Sequence, residues 1–311
     1  MPQATNRALG RARLATQGLS TRHWASPSDA ASAFGLMQGQ DVASALLSLE
    51  LRGGPLTDTD WAELVRGYPM RNTLFIGTRA HMGWMTDLCA RPFKEHVGQF
   101  RDVLEEIPES GFTRAEFKVL ATRLYPELPQ YRVLRTLMEE NLVYYTGREQ
   151  LVTRLRLPGL AEVFGETEAA RRAAVTELAT RYFRTHAPAT LDDFAWWSKL
   201  PKRAIAAAAR DLPDDLDVRD GQVIALDAPE PTPRTAFLLG GFDEYILGYQ
   251  DRLFAMDAET HEVLVPGNRG VFRRPVVVDG QVRGMWTKAG IEDRGIPAYA
   301  QLKLRRAFKA L

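Results

Sequence analysis

Cysteine is almost missing: Cys89 stands alone among 311 residues, which excludes an internal disulfide and fits a reducing cytoplasm. A single cysteine of this kind reads as packing. No apolar run approaches the ~20 residues that a membrane helix needs. The opening "MPQATNRALGRARLATQGL" carries arginines without a continuous apolar stretch, so neither a leader peptide nor a membrane association is expected. The five histidines, at 23, 81, 96, 186 and 261, never fall at His-x-x-x-His spacing, so the reading expects no metal and no cofactor. "LRGGPL" and "LLGGFDEY" lack the Lys-Ser/Thr that completes a phosphate-binding loop, which removes support for nucleotide hydrolysis.

Acidic residues are missing from both ends. Residues 1–28 hold Arg7, Arg11, Arg13 and Arg22 without one carboxylate, and the last ten residues, "LKLRRAFKAL", are equally basic. The total is only +1, so the basic ends suit a nucleic-acid face and solvated helix termini equally well.

What is present becomes legible near residue 112. "FTRAEFKVLATRLYPEL" opens with Thr113 and Glu116 in the spacing of a capping box, and Phe117, Leu120, Ala121 and Leu124 then share one side. A second amphipathic helix follows in "QYRVLRTLMEENLV", and "LVYYTGREQLVTRLRL" reads as a hairpin around Thr-Gly. Helix, turn, helix, hairpin is the winged-helix order, in which the second helix meets DNA, here with Arg132 and Arg135. The order recurs over 188–226. Thr190 and Asp193 cap "LDDFAWWSKL", "PKRAIAAAARDL" exposes Lys202 and Arg203, and "LDVRDGQVIAL" turns on Asp-Gly. Trp196–Trp197 and Phe112/Phe117 read as packing.

The first third reads as a looser version, with helices over 28–37, 42–52 and 57–66 and a strand in "RNTLFIGT". "FGETEAARRAAVTELATRYFRTH" is a long connecting helix. After the proline-rich "LDAPEPTPRT" the character turns to β in "TAFLLGGF", "HEVLVPG" and "PVVVDGQVRGMWT", before a basic terminal helix. The expected fold is α+β: tandem winged-helix units with a β-rich C-terminal part, divided at 1–110, 111–187, 188–230 and 231–311.

One short stretch asks for an explanation. In "GLMQGQDVAS", Gln38 and Gln40 flank a single glycine just ahead of Asp41, a good N-cap for "VASALLSLELR". In extended geometry side chains at i and i+2 share a side, so the two amides can converge on one target. Gly39 leaves the backbone free to choose its φ. A flexible solvated turn accounts for the same three residues, and spacing alone favours it.

Six pieces together resemble one family: "MQGQDVASALLSLELR", "MRNTLFIGT", "RYFRTHAPATLDDFAWWSKLPK", "LLGGFDEYILGYQDR", "LVPGNRGVF" and "VVVDGQVRGMW". That is the bacterial winged-helix DNA-binding family that includes the AlkZ/YcaQ DNA glycosylases. The resemblance implies tandem winged helices around a concave face on double-stranded DNA, and excision of alkylated bases, some of them from interstrand crosslinks. It implies a Gln-Φ-Gln catalytic signature, with Φ apolar, whose glutamines match Gln38 and Gln40. Gly39 departs at the middle position, losing a packing anchor and adding freedom. Phe75 departs where many relatives read Thr-Leu-His.

The chemistry such a pair permits is narrow. A purine alkylated at N7 or N3 is already cationic and needs no general acid, so the remaining work is to hold a water and stabilise an oxocarbenium-like sugar. A glutamine oxygen can accept from that water and its nitrogen can donate to a phosphate or a base edge. Asp243 is a candidate accessory carboxylate, although a helix-capping role explains it better. Phosphate contacts are expected from Arg52, Arg71, Thr73, Arg132, Arg135, Lys202 and Arg203. The commoner helix-hairpin-helix glycosylase pattern is missing, and no motif positions a lysine for Schiff-base chemistry, so a monofunctional glycosylase acting as a monomer is expected. A DNA-binding protein without catalysis, which Gly39 and Phe75 favour, and a protein-interaction scaffold, which the near-neutral charge favours, stay open beside it.

Overall fold

Polar caps set most of the helix starts. The computed structural model describes residues 6–21, 24–91, 97–268 and 270–311; Arg22, His23 and His96 lie outside them. Asn6 caps α1 (Arg7–Thr16), and the Ser26 hydroxyl accepts from the Asp29 amide at 3.1 Å to open α2 (Pro27–Phe34). A two-residue strand, β1 (Met37–Gln38), leads to α3 (Val42–Gly53) with Asp41 at its N-cap position. Thr57 and Asp60 form a capping box on α4 (Asp58–Glu63). The helix expected over 57–66 ends there. Leu64 is extended, and β2 (Leu64–Met70) begins because Val65 and Arg66 pair with a strand on each side. Arg71 and Asn72, both at φ 56°, turn the chain into β3 (Thr73–Thr78), and α5 (Arg79–Cys89) follows.

The next stretch runs as its sequence pattern indicates. After α6 (Arg101–Glu106), the Thr113–Glu116 capping box opens α7 (Arg114–Leu124), followed by α8 (Gln130–Glu139) and the hairpin β4 (Val143–Thr146) and β5 (Leu151–Arg154). Then come α9 (Leu160–Phe164) and the 19-residue α10 (Glu168–His186). The second helix–helix–hairpin set is α11 (Leu191–Ser198), α12 (Lys202–Ala208), β6 (Leu216–Arg219) and β7 (Gln222–Ala225), capped by Thr190–Asp193 and turned by Asp220 and Gly221 at φ 50° and 78°.

The last part holds β8 (Ala236–Leu238), α13 (Glu244–Leu247), α14 (Ala258–Leu264), β9 (Arg274–Val278), β10 (Gln281–Thr287), β11 (Gly290–Asp293) and α15 (Ala298–Lys309). The expected strand in "HEVLVPG" is instead helix: Asp257 accepts from the Thr260 amide at 2.7 Å, and Thr260 and Leu264 are buried at helical spacing.

All pairing is antiparallel. One sheet runs β1-β3-β2-β4-β5, so strands from the first and second expected units share a single sheet through Val65↔Thr146 and Arg66↔Tyr145. A second sheet runs β11-β10-β9-β8 with α15 against β8, and β6-β7 stands as a separate hairpin. The largest core cluster contains Leu14, Phe75, Trp84, Tyr144, Tyr182, Trp197, Tyr249 and Met285, so it crosses every expected boundary. Cys89 belongs to it, with burial pushing its thiol up to about 12.

Candidate active site

The site begins at a strand edge. β1 pairs with β3 in the register Met37↔Ile76 and Gln38↔Phe75. The next residue is held from both sides: the Gly39 amide donates to Leu74 O at 2.8 Å, and Arg66 Nη1 donates to Gly39 O at 2.9 Å. A Cβ on Gly39 would lie 2.8 Å from the Phe75 carbonyl carbon, 2.9 Å from the Ile76 nitrogen and 3.1 Å from Arg66 Cδ. Gly39 is outside the set of positive-φ residues. Glycine is therefore needed here for close approach of two backbones, and the expectation that it loosens the pair is corrected. Phe75, directly across from Gln38, is fully buried in the main core.

The two amides face the start of β3. Gln38 is buried; its backbone N–H donates to Glu244 Oε1 at 2.8 Å and its Nε2 reaches Thr73 Oγ1 at 3.5 Å. Gln38 Oε1 is buried and has no hydrogen-bond partner among the described residues. Gln40 is exposed, and its Oε1 accepts from the Leu74 amide at 3.3 Å. A buried acceptor without a partner costs about 1–3 kcal/mol, a cost for which a fold needs a reason. A water held there would supply one.

Glu244 fixes this corner from behind. Its Oε1 takes the Gln38 amide and its Oε2 takes Trp197 Nε1 at 3.1 Å, with His186 Nε2 3.5 Å away. Asp243 positions it in turn, capping α13 through the Tyr245 amide at 2.9 Å. Burial alone would raise the Asp243 carboxyl, but Arg52, the Ser48 hydroxyl and the Tyr245 amide hold it below its ordinary value. Arg52 is fully buried: Nη2 donates to Asp243 Oδ1 at 2.9 Å and Gln17 Oε1 at 2.8 Å, and Nη1 to Asp243 Oδ2 at 3.0 Å.

Three expectations are corrected by these contacts. Arg52 has no access to a phosphate, and Asp243 is a buried cap with no accessory role at a ligand. Arg135 is likewise committed inside the fold, its Nε donating to Glu139 Oε1 at 2.8 Å and its Nη2 to Asn72 Oδ1 at 2.6 Å. Thr73 lies beside Gln38 at the start of β3, and Arg71 is in the turn that precedes it. Arg132 is half-buried on α8. Lys202 and Arg203 are exposed on α12, where Lys202 Nζ meets Asp192 Oδ1 at 2.6 Å.

Sequence reasoning missed Glu244, Trp196, Lys199 and Arg252. Trp197 is fully buried, as expected of a packing residue, but Trp196 is half-buried and ringed by cations. Arg71 Cζ lies 4.5 Å, Arg252 Cζ 5.0 Å and Lys199 Nζ 5.1 Å from its ring centroid. Arg252 also sits 5.1 Å over Phe272, which packs on Phe242. The available signal was the helical period of α11: Phe194 and Trp197 share a buried face, and Trp196 falls off it. A cleft of about 720 Å³ between β11 and α15 is lined by none of these residues.

The sequence model of one protein family, described as DNA glycosylase AlkZ-like, matches residues 31–296. The chain belongs to the AlkZ-like DNA glycosylase family. Its fold is similar to that of Streptomyces sahachiroi DNA glycosylase AlkZ, with a TM-score of 0.66 and 22% identity over 92% of this chain and 88% of that one. A comparison with curated proteins found no match. For this AlkZ-like family member, family membership points to DNA as substrate. Among the described residues no three His, Cys, Asp or Glu side chains gather at a metal-binding distance, and no helix is long and apolar enough to cross a membrane.

Proposed function

We propose that this protein hydrolyses the N-glycosidic bond of cationic N7- or N3-alkylated purines in double-stranded DNA, with Gln38 and Gln40 as its catalytic residues. The observation that carries the reading is the buried, unpartnered Gln38 Oε1 beside the exposed Gln40, both set against Thr73–Leu74 by the clamped Gly39. Gln38 Oε1 accepts from a water aimed at C1′. As the C1′–N bond breaks, its electron pair returns to the base ring and cancels the positive charge there. The water oxygen bonds to C1′, and its proton leaves to solvent. Gln40 Nε2 stays free to donate to the sugar–phosphate or the base edge. Glutamine takes up no proton near neutral pH, so only leaving groups that are already charged react. A crosslink joined through such a purine presents the same bond.

The two helix–helix–hairpin sets, α7-α8-β4-β5 and α11-α12-β6-β7, support the tandem winged-helix reading of 111–187 and 188–230. Arg132, Lys202 and Arg203 then serve as phosphate contacts. The enzyme acts as a monomer without metal or cofactor. Methylated duplex should release free N7-methylguanine or N3-methyladenine, and the Gln38→Ala/Gln40→Ala variant should not. Borohydride should trap no protein–DNA adduct. Duplex binding with no base release by the wild-type protein would leave the non-catalytic alternative.

A further inference from the structure

The ring of cations around Trp196 is thinly countered, with Glu244 favouring the Arg71 charge only from beyond ion-pair distance. Among the described residues, no carboxylate lies within ion-pair distance of Arg71, Lys199 or Arg252, whereas Arg52, Arg135 and Lys202 each have one. Arg71 Nη1 and Arg252 Nε are buried without hydrogen-bond partners. The like charges act on one another: burial, then Arg71, pulls Arg252 down to about 10, and the same two causes lower Lys199. Two of the three stand on unfavourable backbone, Arg71 at φ 56° in the β2–β3 turn and Lys199 at φ 57° closing α11. The rings of Trp196 and Phe272 offset part of the cost, but the buried Arg71 Nη1 and Arg252 Nε stay without a partner among the described residues.

We infer that Arg71, Lys199 and Arg252 form a phosphate site on Trp196 that grips the DNA strand beside the nucleotide turned out towards Gln38. The inference rests on the glycosylase reading above and deepens it. Two guanidinium forks and an ammonium suit an oxyanion with several acceptor oxygens, which is a phosphodiester. A cationic purine would be repelled from the same spot, so the cluster separates the backbone of the flipped nucleotide from its base. The placement is local: Arg71 lies two residues before Thr73, which meets the Gln38 amide. Trp197, next to Trp196, bonds the Glu244 carboxylate that takes the Gln38 N–H. Arg71 itself senses Glu244.

The test is binding, read without base release, so an inactive wild-type protein would leave it standing. A labelled duplex with one tetrahydrofuran abasic site, and the same duplex intact, are titrated over a range of salt with the wild-type chain and an Arg252→Gln/Lys199→Gln variant. Loss of one phosphate contact should lower the salt slope on the abasic duplex by about 0.9 and weaken binding about eightfold at 0.1 M salt. Binding to the intact duplex should hold, and the melting temperature should stay level or rise as like charges are removed. Unchanged affinity for the abasic duplex would overturn the inference. Equal weakening on both duplexes would do the same, by making these ordinary backbone contacts. A fall in melting temperature together with lost binding would reassign the three residues to packing. A saturable stabilisation by inorganic phosphate at constant ionic strength, lost in the variant while DNA binding is unchanged, would assign the site to free phosphate and sink the DNA claim.

Discussion

Replacing Gly39 by alanine sets two effects of opposite sign against each other. Where the backbone suits both residues, Gly→Ala stabilises by about 0.4–1 kcal/mol, because the unfolded chain has less freedom to lose. Gly39 is outside the positive-φ set, so this gain is available in principle. The added Cβ, however, would stand 2.8 Å and 2.9 Å from backbone atoms of Phe75 and Ile76, which cannot rotate away as a side-chain tip would. Relief requires β1 to move off β3. That stretches the Gly39 N–H to Leu74 O bond and the Arg66 bond to Gly39 O. Overpacking costs about 1–3 kcal/mol, and each weakened hydrogen bond about 0.5–1.5 kcal/mol. The clash wins, for a net loss of about 1–5 kcal/mol. Urea unfolding of Gly39→Ala should show a lower midpoint at unchanged slope, and base release should fall further than stability does, because Gln38 and Gln40 move with the strand. A variant as stable as the wild-type chain, with unchanged turnover, would refute the reasoning that Gly39 sets the site by close approach.

Asp243→Ala leaves Arg52 charged and enclosed, and should cost about 3–5 kcal/mol in denaturant unfolding. Because the folded Asp243 carboxyl is held below its ordinary value, that stabilisation is present above the unfolded value of roughly 3.9. It is lost as pH falls through the folded value. His81 has the same direction in a different window. Burial, then Arg181, brings it down to about 4. Unfolding should therefore grow easier as pH drops from the unfolded value of about 6.5 towards about 4, and a His81→Gln variant should flatten that part of the pH–stability curve.

Local signals were readable and long-range ones were not. Thr113 with Glu116, Thr190 with Asp193, and Asp220-Gly221 each carry their structural reason within four residues, and each formed as read. β2 was invisible because it lacks clear alternation and is called into being by β3 and β4, the latter about eighty positions away. Arg52 and Asp243 are separated by 191 positions, so nothing local told that one exists to neutralise the other. Gln38 and Gln40 were singled out only through the family resemblance. Why both side chains reach the start of β3 was not legible, because the reason lies in the backbone of β3 pressing on Gly39. Glu244 was overlooked beside Asp243 since two adjacent carboxylates give no hint of which caps and which reaches the site.

The most direct measurement is single-turnover release of N7-methylguanine from methylated duplex by the wild-type chain and by Gln38→Ala, with DNA affinity measured alongside. A water held by Gln38 Oε1 predicts release by the wild-type chain and a rate lower by about 10²–10³ in the variant, as for other single polar groups that act on a transition state, at unchanged affinity. Release at the wild-type rate by Gln38→Ala would contradict it.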